Sequence, residues 1–437
     1  MRFLYSIGIY SYALAAKIWA LKSQKARKFV NGQAESFEKL RTVFEKNTQP
    51  VIWFHAASLG EFEQGRPIIE GFRKERPEWK ILLTFFSPSG YEIRKNYAQA
   101  DCVIYLPFDT AKHAQKFVKL VQPKVAVFIK YEFWYNYLNA LKKQDVRTFF
   151  VSAIFRPSQY FFKWYGGWAR KQLEGVEHFF VQNQESENLL KSISFTNVTF
   201  SGDTRFDRVA EILQTKKPFP IIEKFKGNKR LLVVGSSWAS DESRICKAFS
   251  LPASGSCEHS GKHNANRTAG AEAIFNEKSD FKLLFVPHEI TEARLKKLEY
   301  LISNHFQVKS IRYSKATLDT VSDVQVMIVD EVGHLSQLYQ YADVVYIGGG
   351  FEKGGIHNIL EPAVFGVPIF FGKNHEKFQE VHDLIALNVA QSTTFDKFVN
   401  FVETEQDAAL LQEVSTRASN YINLKKGATS VILKKIA

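Results

Sequence analysis

The sequence predicts an α/β chain of two Rossmann-like domains facing a cleft, and three observations carry that expectation. From Val51 onward short apolar runs alternate with amphipathic stretches, the rhythm of βαβ units and parallel sheets. The rhythm loosens once, over residues 208–228, and then restarts. The 437 residues also exceed what one ordinary core absorbs.

Taken in order, residues 1–30 read as a short N-terminal membrane-associated helix with a basic skirt. Phe3 to Ala16 carries no charge and is bracketed by Arg2 and Lys17; Lys22, Lys25, Arg27 and Lys28 follow, suited to anionic headgroups. The uncharged stretch falls short of the ~20 residues that span a bilayer. A buried first helix and a signal peptide ending at Ala13-Leu14-Ala15 are the rival readings. An enzyme attached to a membrane and facing the cytosol is the expectation.

Residues 31–208 form the first Rossmann-like domain. Its strand-like runs are 51–57, 80–86, 102–108, 125–130, 147–153, 178–183 and 197–203, with helical segments such as 110–121 and 133–143 between them. The Pro-containing polar stretch 209–228 is expected to be a linker. Residues 229–404 are the second Rossmann-like domain, with runs at 230–237, 282–288, 324–331, 343–350 and 367–372. Residues 405–437 read as a helical tail that could lie back across the first domain. The Gly/Ser/Asn-rich segment 251–270 is expected to be an inserted surface loop; Cys257, His259 and His263 lack the paired spacing of a metal site.

The charge of +13, from 58 Lys+Arg against 45 Asp+Glu, favours an anionic partner: a phosphorylated substrate or an acidic lipid surface. No nucleic-acid-binding signature is present, so nucleic acid is not expected as a partner. Cys102, Cys246 and Cys257, scattered and odd in number, argue for a reducing compartment.

Four segments could carry chemistry. HAASLGE (55–61) follows the first strand and sets Glu61 at a helix start. Ser58-x-x-Glu61 reads equally as a capping box worth about 1 kcal/mol or as an ionised carboxylate placed for base work. TFFSPSG (84–90) could hold a sugar or an anion at a second strand-to-helix junction, and a capped Pro-containing turn explains it nearly as well. Glu132, in Lys130-Tyr131-Glu132-Phe133-Trp134, would by itself be a paired structural group, but beside Glu61 the two carboxylates could divide acid and base work. The most specific segment is GGGFEKGGIHNILEP (348–362). Five glycines between a strand and a helix let backbone N–H groups approach a phosphate, and Glu361 could accept from ribose hydroxyls.

In this order, HAASLGE, TFFSPSG, YEFW, SGDTRFD, SSWxSDE and GGGFxxGGIHNILEPAxFGxP resemble the 3-deoxy-D-manno-octulosonic acid (Kdo) transferases of lipopolysaccharide synthesis, over residues 50 to 390. The resemblance implies a GT-B fold and an inverting transfer of Kdo from CMP-Kdo onto a lipid A precursor, at the cytoplasmic face of the inner membrane. No metal and no cofactor beyond the donor are implied. It implies Glu61 as general base and Glu132 as the acidic residue of an E-x-W motif on the acceptor side. Gly349, Gly350, Gly354, Gly355, His357, Asn358 and Glu361 match the CMP-binding segment, and Ser236 and Ser237 match residues lining the nucleotide pocket. One departure concerns the donor phosphate. The family pattern has an arginine after the valine–proline pair of this domain, whereas Val286-Pro287 is followed here by His288; His288 or Arg294 could take its place. Phe155-Arg156-Pro157-Ser158 only loosely matches the family's Asn-Ala-Arg block. Alternatives are another GT-B glycolipid enzyme, such as a heptosyltransferase or lipid A disaccharide synthase, distinguished by donor specificity, and a catalytically silent membrane-associated nucleotide or lipid binder, distinguished by binding without turnover.

Overall fold

The computed structural model describes residues 2–250, 275–306, 308–404 and 407–437. The segment 251–270, with Cys257, His259 and His263, lies outside the described residues. The chain divides into two compact units, Met1–Arg208 with Lys425–Ala437, and Val209–Leu424.

The first unit holds strands β1 (Val51–Ala56), β2 (Lys80–Phe85), β3 (Cys102–Tyr105), β4 (Val125–Ile129), β5 (Arg147–Ala153), β6 (His178–Val181) and β7 (Val198–Phe200). They form one sheet in the order β3-β2-β1-β4-β5-β6-β7, parallel throughout. The strands are apolar almost end to end because helices cover both faces, which is why they read as continuous runs without alternation. Trp53, Phe128, Phe150 and Phe179 pack on one face, and Phe54, Phe72, Phe85 and Phe149 on the other. The helix Leu59–Glu75 sits close on the sheet because Gly65 leaves no side chain; a Cβ there would stand 2.1 Å from the Ile129 side chain.

Two helices precede β1, Arg2–Ala20 and Gln24–Phe44. The second begins inside the expected basic skirt and docks on the sheet: Gln33 donates to the Leu106 carbonyl at 2.6 Å and accepts from the Phe108 amide. One face of the first helix also packs inward through Tyr5, Ile9, Ala13 and Ala16. At the other end of the chain, the helix Ala428–Ile436 packs on the helix Leu59–Glu75, with Gly71 against Leu433.

The second unit holds β8 (Arg230–Ser237), β9 (Phe281–Pro287), β10 (Ser310–Arg312), β11 (Val326–Ile328), β12 (Val344–Ile347), β13 (Ile369–Phe371) and β14 (Ala390–Ser392), in the order β10-β11-β9-β8-β12-β13-β14 and again all parallel. Each apolar run read from the sequence is a strand. The three-residue strands β10 and β14 were not expected, being too short to show a period. Where a linker was expected, the helices Arg205–Gln214 and Pro220–Lys226 stand. The second of these is tied to its own unit by Lys226, which donates to the Tyr341 carbonyl and pairs with Asp343.

In each sheet the strand order reverses direction beside one strand, between β1 and β4 in the first and between β8 and β12 in the second. The crevice beyond the carboxyl ends of such a pair is where open α/β sheets bind ligands.

Candidate active site

Glu61 lies just beyond the carboxyl end of β1, in the first turn of the helix Leu59–Glu75. Its Oε2 accepts from the Ser58 amide at 2.9 Å and from the Ser58 hydroxyl at 3.3 Å. The capping geometry read from the sequence is therefore present, and the side chain is buried as well. Burial, and after it the charge of Glu132, raise the Glu61 carboxyl above the ordinary carboxylate range, while Lys130, the charge of a protonated His55 and the Ser58 amide pull the other way. A carboxylate made more basic in this way is better suited to take a proton than a simple cap would be.

Glu132 sits just past the carboxyl end of β4, the neighbour of β1, so the sheet brings the two carboxylates together across the switch point. Lys130, between β4 and Glu132, has φ +67, a left-handed conformation that non-glycine residues adopt at a cost. His55, the last residue but one of β1, is fully buried and lies between them. Its Nδ1 is 2.8 Å from Thr84 Oγ1, its Nε2 accepts from the Trp134 indole N–H at 2.9 Å, and Glu132 Oε2 is 3.7 Å from Nε2. The TFFSPSG segment serves this cluster from below. Thr84 is buried against Trp53 and His55, Phe86 packs on Trp134, and Ser87 accepts from the Ser89 amide.

The second unit presents a corresponding arrangement. Ser236, near the carboxyl end of β8, has φ +50, again left-handed at the switch point. Ser237 turns inward instead: its hydroxyl donates to Glu242 Oε1 at 2.7 Å, and Glu242, wholly buried, is ion-paired to Arg294. Arg294 is thereby committed to the fold. His288 extends β9, its amide donating to the Ser237 carbonyl, and its exposed ring stacks on Trp238 at 4.6 Å and on His357 at 4.4 Å. His357 accepts from the Trp238 indole at 3.1 Å. Burial, and then His288, push its imidazole down to about 4, so it stays neutral at physiological pH.

The glycine-rich loop follows β12. Gly349 (φ +90) and Gly355 (φ +81) are left-handed, and a Cβ on Gly349 would lie 2.6 Å from the Gly355 carbonyl oxygen. The sequence leaves open whether these glycines serve packing or a ligand, and the geometry divides them. The amides of Gly348, Gly349 and Gly355 are taken within the fold, by the Gly235 carbonyl, the Asp241 carboxylate and the Glu352 carbonyl. Gly350 abuts Gly372, whereas a Cβ on Gly354 would meet nothing within 4 Å. Asn358 accepts from the Leu360 amide and donates to Glu361 Oε1 at 3.1 Å, orienting that carboxylate.

Asp241 and Trp238 were not singled out individually from the sequence. Asp241 is fully buried and accepts from the amides of Trp238 (3.0 Å) and Gly349 (2.9 Å), joining the helix after β8 to the loop after β12. Both residues stand in the SSWxSDE segment, and Ser-Trp-x-Ser-Asp at a strand-to-helix junction was the available signal.

Residues 33–208 match the family model for 3-deoxy-D-manno-octulosonic-acid transferase (kdotransferase). The chain is 26% identical over 359 residues to the 3-deoxy-D-manno-octulosonic acid transferase of Aquifex aeolicus, covering 80% of this chain and 84% of that one. It is 25% identical over 415 residues to the transferase of the same name from Chlamydophila psittaci, covering 89% and 86%. Among solved structures it shares its fold with the UDP-GlcNAc 2-epimerase of Neisseria meningitidis, with TM-score 0.54, 12% identity, and coverage of 88% of this chain and 98% of that one. Two all-parallel seven-stranded sheets, this likeness in fold, and relatives that match over most of the chain lead to one conclusion: the protein has a GT-B-type fold, its residues 33–208 carry the 3-deoxy-D-manno-octulosonic acid transferase family domain, and it is similar to those transferases over most of its length.

Proposed function

We propose that the protein transfers Kdo from CMP-Kdo to a lipid A precursor, lipid IVA, with inversion and without a metal, at the cytoplasmic face of the inner membrane. The observation that carries the reading is Glu61: a buried carboxylate at the carboxyl end of β1 whose basicity is raised by burial and by Glu132. Glu61 takes the proton from the acceptor hydroxyl, whose oxygen then forms a bond to the anomeric carbon of Kdo. The bond from that carbon to the phosphate oxygen breaks, and CMP leaves with the electron pair. CMP is already a stabilised anion, so the reaction mainly needs a base, orientation and a setting for the phosphate. Gly350, Gly354, His288 and the Asn358–Glu361 pair are the groups assigned to the donor. With Arg294 held by Glu242, His288 is the residue assigned to the position of the family's arginine.

Attachment to the membrane surface rests on the helix Arg2–Ala20. Among the described residues no helix is long and apolar enough to cross a membrane. This helix nevertheless exposes Phe3, Leu4, Ile7, Tyr10, Leu14, Ile18 and Trp19, and the basic residues from Lys17 to Lys28 follow it. Apolar and aromatic side chains with adjoining cations suit an interfacial helix on anionic lipid. Trp164, 92% exposed, and Tyr165 stand on a segment joined to the same helix through Trp168 and Tyr5.

The test incubates the purified protein with a tetraacylated lipid A precursor and freshly generated CMP-Kdo, with and without EDTA, and weighs the lipid by mass spectrometry. Lipid heavier by whole Kdo units, indifferent to EDTA and absent with Glu61→Ala, is the expected result. CMP-Kdo bound but never consumed would overturn the proposal in favour of a silent binder or a different acceptor.

A further inference from the structure

We propose that Trp134 is a positioning residue that holds His55 as a neutral imidazole and so withholds an imidazolium from the Glu132 carboxylate beside Glu61. The proposal rests on the reading of Glu61 as the base.

The hydrogen bonds around His55 admit one arrangement of protons. An indole N–H can only donate, so Nε2, 2.9 Å from Trp134 Nε1, must accept, and the ring proton is on Nδ1. That proton goes to Thr84 Oγ1 at 2.8 Å. The same oxygen accepts from the Trp53 indole at 2.8 Å and sends its own proton to the Phe54 carbonyl at 3.3 Å. A second proton on the ring would stand at Nε2, against the Trp134 N–H. Without that indole the outcome would be different, because Glu132 Oε2 is 3.7 Å from Nε2 and the pair would form a buried ion pair.

The charges around the ring come from several elements. Glu132 and Lys130 lie beyond β4, Glu61 opens the helix after β1, and Asp109, also buried, follows β3. The charge of a protonated His55 lowers Glu61 and so offsets the Glu132 charge that raises it; the neutral ring that the hydrogen bonds define withholds that offset. Trp134 is itself held in place by Phe86, 4.6 Å away between ring centroids, and by its edge-to-face contact with His55. The tryptophan of the YEFW segment therefore acts on the base through an imidazole that exchanges no proton with substrate.

The test uses the full-length protein labelled with 15N at histidine, with His55→Asn identifying the resonance. The expected wild-type result is an imidazole with its proton on Nδ1 and a bare, accepting Nε2. Trp134→Phe keeps the ring on Phe86 and removes only the N–H, so its Nε2 should be seen to take up a proton beside Glu132. In the transfer assay Trp134→Phe should gain a second acid limb, with kcat lowered about three- to tenfold below it and KM for CMP-Kdo unchanged. The limb should vanish when His55→Asn is added. A wild-type His55 that carries Nε2–H, or a Trp134→Phe protein whose His55 is unaltered, overturns the proposal. An altered imidazole with an unaltered rate profile overturns its coupling to Glu61. Full turnover by Glu61→Ala would instead sink the reading of Glu61 as base, which the resonances judge separately.

Discussion

The Tyr5 hydroxyl donates to Asp109 Oδ2 at 2.5 Å, and the same buried carboxylate accepts the amides of Asn136 and Tyr137 at the start of the helix Tyr135–Lys143. One side chain thus ties the N-terminal helix to the segment that immediately follows Glu132 and Trp134. Burial pushes the Asp109 carboxyl up to about 6, despite the hydrogen bonds from Tyr5, Asn136 and Tyr137. The folded chain therefore binds this proton more readily than the unfolded chain. The contribution is fully present below the ordinary carboxylate range and is lost as pH rises through about 6. Urea unfolding between those limits should show stability falling with pH, and Asp109→Asn should flatten that slope. The same variant should cost about 1–3 kcal/mol at neutral pH, since the Asn side chain keeps an acceptor for only one of the two buried amides and sets an NH2 group against the other.

Glu61 has two roles that separate by substitution. Glu61→Gln keeps an acceptor for the Ser58 amide and should preserve the melting temperature, while turnover falls by roughly 10²–10⁴. Glu61→Ala should lose as much rate and about 1 kcal/mol of stability through the missing cap. The acid limb of the wild-type rate profile should lie above the ordinary carboxylate range, because the ionised form is the base and burial raises its pKa. A limb within that range would count against the assignment.

Gly354 and Gly349 make opposite predictions from the same loop. Gly349→Ala puts a Cβ 2.6 Å from a carbonyl oxygen at φ +90 and should destabilise the second unit, by about 1–3 kcal/mol. Gly354→Ala meets only open space, so its melting temperature should stay put while KM for CMP-Kdo rises. An unchanged KM would remove Gly354 from the donor groups.

Asp241→Ala strips two amides, the part-buried one of Trp238 and the buried one of Gly349, of their acceptor. Thermal unfolding should register a loss of about 2–4 kcal/mol, and CMP-Kdo affinity measured by calorimetry should fall with it because the glycine loop loses its attachment to the helix after β8.

Membrane attachment is tested on vesicles rather than in the assay. Leu14→Glu places a charge on the exposed face of the first helix and should cut sedimentation with anionic vesicles by about tenfold or more, the change expected for roughly 1.4 kcal/mol or above. High salt should weaken wild-type binding through the basic residues after Ala16. Equal binding of wild type and Leu14→Glu would rule out this helix as the contact.

The sequence by itself determined the layering. Every apolar run long enough to be buried on two faces became a strand, since a parallel sheet covered by helices demands uninterrupted Val, Ile, Leu and Phe. The order of the motifs carried the resemblance to the Kdo transferases; the junctions after β1, β8 and β12 could be marked because small and glycine residues cluster where strands give way to turns, and the one after β4 by a carboxylate among aromatic residues. Only the tertiary structure decided what those junctions do with their polar groups. Ser237 and Arg294 looked available for a donor and proved committed to buried Glu242. Three of the five loop glycines spend their amides inside the fold, one of them on Asp241, 108 residues away in sequence. His55, Thr84 and Trp134 form one network across three separate segments. Periodicity and local motifs report which residues are buried and where the chain turns, because those follow from near neighbours along the chain. Which donor meets which acceptor is set by the register of parallel strands, and that register exists only once residues far apart in sequence are packed side by side.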